Sequence, residues 1–470
     1  MSLFLVSMAL AQNADVPQLP RQTSASVPSP ASSLQGPFAG GVPAGTATAE
    51  ELPLTLAEAI NRGLRQNLGL ILSGQGARAA EAGRMSARSR LLPNLTAGLS
   101  DMGQQINLKA MGFSNFPGIP TIVGPFNVFD ARLYGSQALL NIPALQNLRA
   151  SRENERAAQL SNQDARDIVV LAVTGLYLQA VASRARIEAV QAQVNTAQAL
   201  YQRAEDQRKA GVVPRIDVLR AQVELQAQQQ RLIYYQNEFE KQKLALARAI
   251  GLPLAQRFRL ADQVGYTPPP ELTLEQALAQ AYQGRADYRG ASAQWNAARL
   301  SRQAAQAERL PALQFDGAYG DIGPRLWDSH GTFSAGITLT IPVFQGGRIS
   351  ADILQADARL QQRKAELDDL RSSIEQELRA AFLDLGAAGR QVDVARSALD
   401  LAGQQLKQSD DRFAAGVTNN VEVVQAQEAV ATANDNYISA LFAYNLAKAS
   451  LARALGGAEN TYLQFLGGKH

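Results

Sequence analysis

Asp217 and Glu422 stand 205 residues apart, and each falls six residues after a glycine, Gly211 and Gly416. Each therefore sits in the first turn of a predicted helix. There a carboxylate complements the helix dipole, worth roughly 0.3–1 kcal/mol. Asp410, Asp411 and Arg412 precede the second glycine and supply ion-pair partners at the same place; exposed pairs of this kind contribute close to nothing singly. Nothing around these groups suggests bond chemistry. The chain has no cysteine and two histidines, His330 and His470. That excludes thiol catalysis, disulfides and cysteine metal sites. A histidine metal centre or triad lacks the converging ligands it needs. No metal, cofactor or enzymatic role is expected. The net charge is +3 with both signs interspersed, so no basic stripe points to nucleic acid.

The elements that position these acids occur twice. Leu54, Thr55, Leu56, Ala59 and Ile60 return as Leu272, Thr273, Leu274, Ala277 and Leu278, and Pro93 returns as Pro311, all at an offset of 218. Ile142 and Pro143 return as Ile341 and Pro342 at an offset of 199. Tyr177/Phe382, Gly211/Gly416, Val218/Val423 and Gly251/Gly456 keep an offset of 205. Such a period is too long for a solenoid and indicates a duplicated half-domain. The offsets also place 19 extra residues in the first copy between Pro93 and Pro143, and 6 in the second just after Pro342.

Residues 1–11 form a short apolar run ending Ala9-Leu10-Ala11, the pattern of a signal-peptidase site, without the usual basic start. Residues 12–50 are rich in Pro, Ser, Ala and Gly and are expected to be a flexible leader. The copies then span 51–260 and 261–457, with a tail at 458–470. Each opens on a capping box, Thr55 with Glu58 and Thr273 with Gln276. That first helix is expected to run unbroken to Pro93 or Pro311. From 143 to 208 and from 342 to 412 the pattern predicts a single helix of about 100 Å at 1.5 Å per residue. Tight turns follow at Gly211 and Gly416, and return helices end at Gly251 and Gly456. The most apolar stretch, 168–182, is too short for a membrane helix and reads as a buried part of a long one.

Between the opening and long helices the period changes from 3.6 to 2. In the second copy Leu313, Phe315, Gly317 and Tyr319 alternate with polar or small residues, as do Phe333, Ala335, Ile337, Leu339 and Ile341. In the first copy Tyr134, Ala138, Leu140 and Ile142 stand against Gly135, Gln137 and Asn141, with Leu139 breaking the alternation. Strands of about ten residues with one apolar face suit a transmembrane β-barrel. They also suit a sheet half-buried on a soluble core.

The duplication, the Leu-Thr-Leu openings, the Ile-Pro strand ends and the paired glycine turns together resemble the TolC-type outer-membrane efflux proteins over roughly residues 51–457. The resemblance implies a mainly α fold with transmembrane β structure. Coiled-coil hairpins would form an α-barrel across the periplasm, joined to a 12-stranded β-barrel with four strands from each chain of a homotrimer. Its function would be an exit duct of a tripartite efflux or type I secretion system. The partners implied are outer-membrane lipid, a periplasmic adaptor (membrane fusion) protein and an inner-membrane pump of the RND, ABC or MFS class. Gly211, Val212, Val213, Val218, Gly416, Val417, Thr418 and Val423 would form the adaptor-binding tip. Asp217 and Glu422 would line the entrance as rings of carboxylates, with Gln425 one turn on where some members carry a second acid. Asp410, Asp411 and Arg412 would brace the tip through ion pairs. The other class considered is a soluble periplasmic coiled-coil scaffold with the strands as a cap.

Overall fold

The structure is a computed structural model. It describes residues 37–459 except 113–117, 119, 263–264, 269–270, 416 and 419. The expected signal segment, most of the leader and the tail from 460 lie outside the described residues. The first half comprises β1 (Leu52–Leu54), α1 (Leu56–Gln66), α2 (Leu68–Ser89), β2 (Asn94–Asn107), β3 (Ile122–Leu140), α3 (Ile142–Lys209), α4 (Arg215–Ala249) and β4 (Phe258–Leu260). The second comprises α5 (Leu274–Gly284), α6 (Ala286–Ala307), β5 (Ala312–Gly323), β6 (His330–Thr340), α7 (Arg348–Ala414) and α8 (Asn420–Leu455).

The rods are as long as expected: α3 has 68 residues and α7 has 67, about 100 Å each. α3 starts directly at Ile142, with Pro143 in its first turn. α7 starts only after Gly347, whose φ of 85° provides a left-handed N-cap, so the extra residues of the second copy lie in this approach. Both predicted capping boxes are formed.

The opening helices are broken, contrary to expectation. α1 stops and α2 starts at Asn67, and α5 gives way to α6 at Arg285, at the same place in each copy. Both break residues adopt extended backbone. Asn67 is buried: its Oδ1 accepts from the Gly69 amide at 3.0 Å, and its Nδ2 donates to the Phe38 and Ala249 carbonyls. An Asn that can cap the next helix competes with helix continuation. Arg285 is held by Asp287 and by Glu377 of α7, each at 2.6 Å.

Within the segment expected to be flexible up to residue 50, residues 38–44 are held against the first half, while 45–50 are exposed. Gly41 bridges to Asn67, Val42 donates to the Gln66 carbonyl at 2.8 Å, and Ala44 to that of Gly251 at 3.0 Å. A two-stranded parallel pair, β1 with β4, also closes the first half here. Its three-residue strands are too short to show a period in the sequence.

The duplication extends into the cores. Val169, Val173 and Leu246 centre one cluster; Ile374, Leu378 and Leu451, each 205 residues on, centre the other. Among the described residues one helix, α3, is long and apolar enough by composition to cross a membrane. Its apolar part is this core, with Val169, Val173 and Tyr177 fully buried. In the second core Lys448 is also fully buried, donating to the Oγ1 and carbonyl of Thr267. Burial pushes its amine down to about 8. Between that value and the unfolded value of 10.5 the unfolded chain holds more protons, so stability rises with pH through this window and is lowest below it. Lys448→Met should therefore raise the melting temperature at pH 7. The gain is at most about 3 kcal/mol, less the Thr267 hydrogen bonds, and should shrink towards pH 10. Thermal melts at pH 7 and pH 10 measure it; equal gains at both would contradict the burial cost.

The remaining strands form one antiparallel sheet in the order β2-β3-β5-β6. Leu313, Phe315 and Tyr319 pair with Leu339, Ile337 and Phe333, so all six point to one face. Leu133 and Leu95 lie on the same face through their pairing. Apart from half-buried Leu313 these apolar side chains are exposed, Phe333 to 82% and Leu99, on the same face, to 75%. Thr96, Ser136, Gln314, Ser334, Thr338 and Thr340 point to the opposite face. The alternation expected for the first copy is corrected. Tyr134 and Ala138 lie on the polar face, Gly135 and Gln137 on the apolar one, and Ile142 already belongs to α3. A register shift between Ala138 and Leu140 reverses parity, placing Leu140 opposite Leu313. β3 is also eight residues longer than β6, so part of the first copy's insertion is strand.

Candidate functional site

The two helical hairpins, α3/α4 and α7/α8, end in turns of the same construction. In the first, Ala210 donates to the Asp206 carbonyl and Val212 to that of Gln207; in the second, Ala415 donates to Asp411 and Val417 to Arg412. These crossed bonds satisfy the last carbonyls of each long helix. They require a left-handed residue, and Gly211 supplies it with φ of 75°. Gly416 lies outside the described residues.

Beyond the turn the copies differ. Asp217 is buried at the start of α4, with Arg220 Nη1 3.3 Å from its Oδ1. Glu422 is half-buried and reaches back across its turn: Oε1 lies 3.2 Å from Arg412 Nη1, and Oε2 accepts from the Thr418 hydroxyl. Arg412 thus pairs with Glu422 across its own turn, and not with the adjacent Asp410 or Asp411. Asp410 pairs with Arg203 of α3 at 2.7 Å, tying one hairpin to the other. Asp411 and Gln425 are exposed.

Val212 and Val417 are about 70% exposed at the two turn apices, whereas Val213 and Thr418 are half-buried. Val218 and Val423 do not belong to that surface. They are buried with Leu200, Ala204, Ala221 and Phe413 in an apolar cluster between the hairpins. Each sits one residue after the acid, on the helix face that the neighbouring hairpin covers.

Sequence reasoning missed the fastenings further up. Arg186 reaches Asp435 at 2.7 Å and the Ser439 hydroxyl at 2.8 Å, and Arg231 reaches Glu428 at 3.2 Å. Both join the first hairpin to α8. Because the members are separated by about 200 residues or more, no local spacing announces them.

A family model described as outer membrane efflux protein matches residues 59–252 and 277–457, one segment in each copy. The pyoverdine export outer membrane protein OpmQ of Pseudomonas aeruginosa is 24% identical over 400 residues, covering 81% of this chain and 80% of that protein. Outer membrane protein OprJ of the same species is 25% identical over 70% of this chain and 68% of its own length. The solved CmeC outer membrane channel of Campylobacter jejuni superposes with a TM-score of 0.76 over 97% of both chains, at 16% identity. Two matched segments, a duplicated hairpin and a sheet with one exposed apolar face agree: the chain belongs to the outer membrane efflux protein family.

Proposed function

We propose that three copies of this chain close into one outer-membrane exit duct, receiving cargo at the helical tips and releasing it through a β-barrel. The observation that carries this is the sheet. Its outward face is apolar and exposed, and among the described residues β2 and β6 each leave one edge unpaired. Open edges do not persist in hydrocarbon, so the sheet needs neighbours. Identical copies suit the arrangement. Towards the tips the helices pack in the order α4, α3, α8, α7, and towards the sheet α2, α3, α6, α7. The open flanks are therefore β2, α2 and α4 on one side, and β6 and α7 on the other. Both carry exposed apolar side chains, such as Ile216 and Val223 on α4 and Val394 and Leu401 on α7.

The duct conducts passively, and an inner-membrane pump supplies the energy. The apices at Val212 and Val417 are the adaptor contact, by exposure and by their place at the far end of the rods. Glu422, with Gln425 beyond it, is favoured over Asp217 as the entrance acid, because Asp217 is buried within the protomer. A soluble scaffold would not leave Phe333 and Leu99 uncovered. Recording purified protein in planar bilayers tests the reading. Discrete, low-conductance openings without partners are expected; no channel activity would contradict it.

A further inference from the structure

On the sheet's polar face, opposite the one that hydrocarbon would cover, a guanidinium and a carboxylate stand side by side. Arg132 Nε donates to Asp130 Oδ1 at 2.7 Å, and its Nη2 donates to the second carboxylate oxygen. The Tyr134 hydroxyl lies 3.3 Å from that same oxygen, and the guanidinium lies 5.3 Å from the Tyr134 ring centre. At two-residue spacing on one strand, all three side chains share a face. On the apolar face of the neighbouring row stand Leu99, Ala131 and Asp321, so the cluster lies at the outer end of the apolar band. The residues paired with Arg132 on either side are Gly98 and Gly320. Neither carries a side chain to cover the guanidinium. A Cβ on Gly98 would stand 3.0 Å from the Tyr134 ring, and one on Gly320 2.2 Å from the Ala131 carbonyl oxygen. The other carboxylate within the band on this face is Asp316, two rows towards the helices.

Ionisable groups at membrane depth face water and mark the path of what passes. We propose that Asp130, Arg132 and Tyr134 form a charge-balanced ring at the outer mouth of the barrel that sets which sign of ion or charged cargo the exit favours. This rests on the trimeric channel reading, which repeats the cluster three times around one pore. Asp130 and Tyr134 hold the guanidinium flat between the two glycines, and the balance of Arg132 against Asp130 and Asp316 fixes the local field. A wide pore screens such a ring at physiological salt, but at 10 mM the Debye length is about 30 Å and the field crosses the lumen.

The test is the reversal potential of purified full-length protein in planar bilayers under a KCl gradient centred near 10 mM. Recording in the Asp410→Ala/Glu422→Ala background keeps the helical entrance from setting the current. Arg132→Gln should shift the permeability ratio severalfold towards potassium and Asp130→Asn towards chloride. The Arg132→Gln/Asp130→Asn double variant should return close to the parent, and Arg132→Lys should stay there. Unchanged ratios in both single variants, or shifts of the same sign, would overturn the ring. If Arg132→Gln does not assemble, Asp130→Asn against Arg132→Lys decides the same question. Absence of channels from the wild-type chain would instead overturn the reading on which the ring rests.

Discussion

Ile337→Arg should remove the protein from the outer membrane, while Thr338→Arg, one residue on, should leave it there. Ile337 lies on the exposed apolar face, paired with Phe315; Thr338 lies on the polar face, paired with Gln314. An arginine facing lipid costs about 2–4 kcal/mol at mid-bilayer and less towards either surface. In the proposed trimer, three copies per barrel would bring the total to roughly 6–12 kcal/mol, comparable to the whole stability of a typical domain. An arginine facing a water-filled lumen incurs no such cost. Immunoblots of outer-membrane fractions measure it, with the Thr338 variant near wild type and the Ile337 variant nearly absent. Equal levels would mean that the sheet's apolar face is not its lipid face.

The second large effect is expected at the tip. Asp410→Ala with Glu422→Ala unfastens Arg203 and Arg412, the first joining the two hairpins and the second stapling the α7–α8 turn. Each pair is at least partly exposed and worth at most about 1 kcal/mol. Across the three copies of the proposed trimer the loss is at most roughly 6 kcal/mol. At about 1.4 kcal/mol per tenfold change in population, a quarter of that moves a closed tip about tenfold towards open forms. Mean single-channel conductance should rise accordingly. Asp217→Ala should change it little, because that carboxylate is buried at the start of its own helix, beside Arg220. A larger opening from Asp217→Ala than from the pair would reverse the assignment of the entrance acid.

The parts legible in the sequence were those fixed by local chemistry. Thr55 and Thr273 cap their helices because a threonine three residues before Glu or Gln can do little better. Gly211 turns the chain because the turn needs a positive φ. The clean alternation of β5 and β6 gave their faces correctly. β3 misled because a bulge at Leu139, near its end, reverses parity there, and a bulge has no fixed residue signature. The break at Asn67 did carry a signal, an Asn able to cap, but Arg285 at the matching site did not. At the tip the sequence located the acids and Arg412 but not their partners. Arg203 and Asp410 meet only because the two hairpins pack side by side, and that packing also buries Val218 and Val423.

The central claim is that this chain is one third of a closed membrane duct. Light scattering on protein extracted from outer membranes in mild detergent, after size exclusion, tests it most directly. A protein mass three times that of the mature chain, found only in the detergent-extracted fraction, is the expected result. A water-soluble monomer or dimer would contradict it.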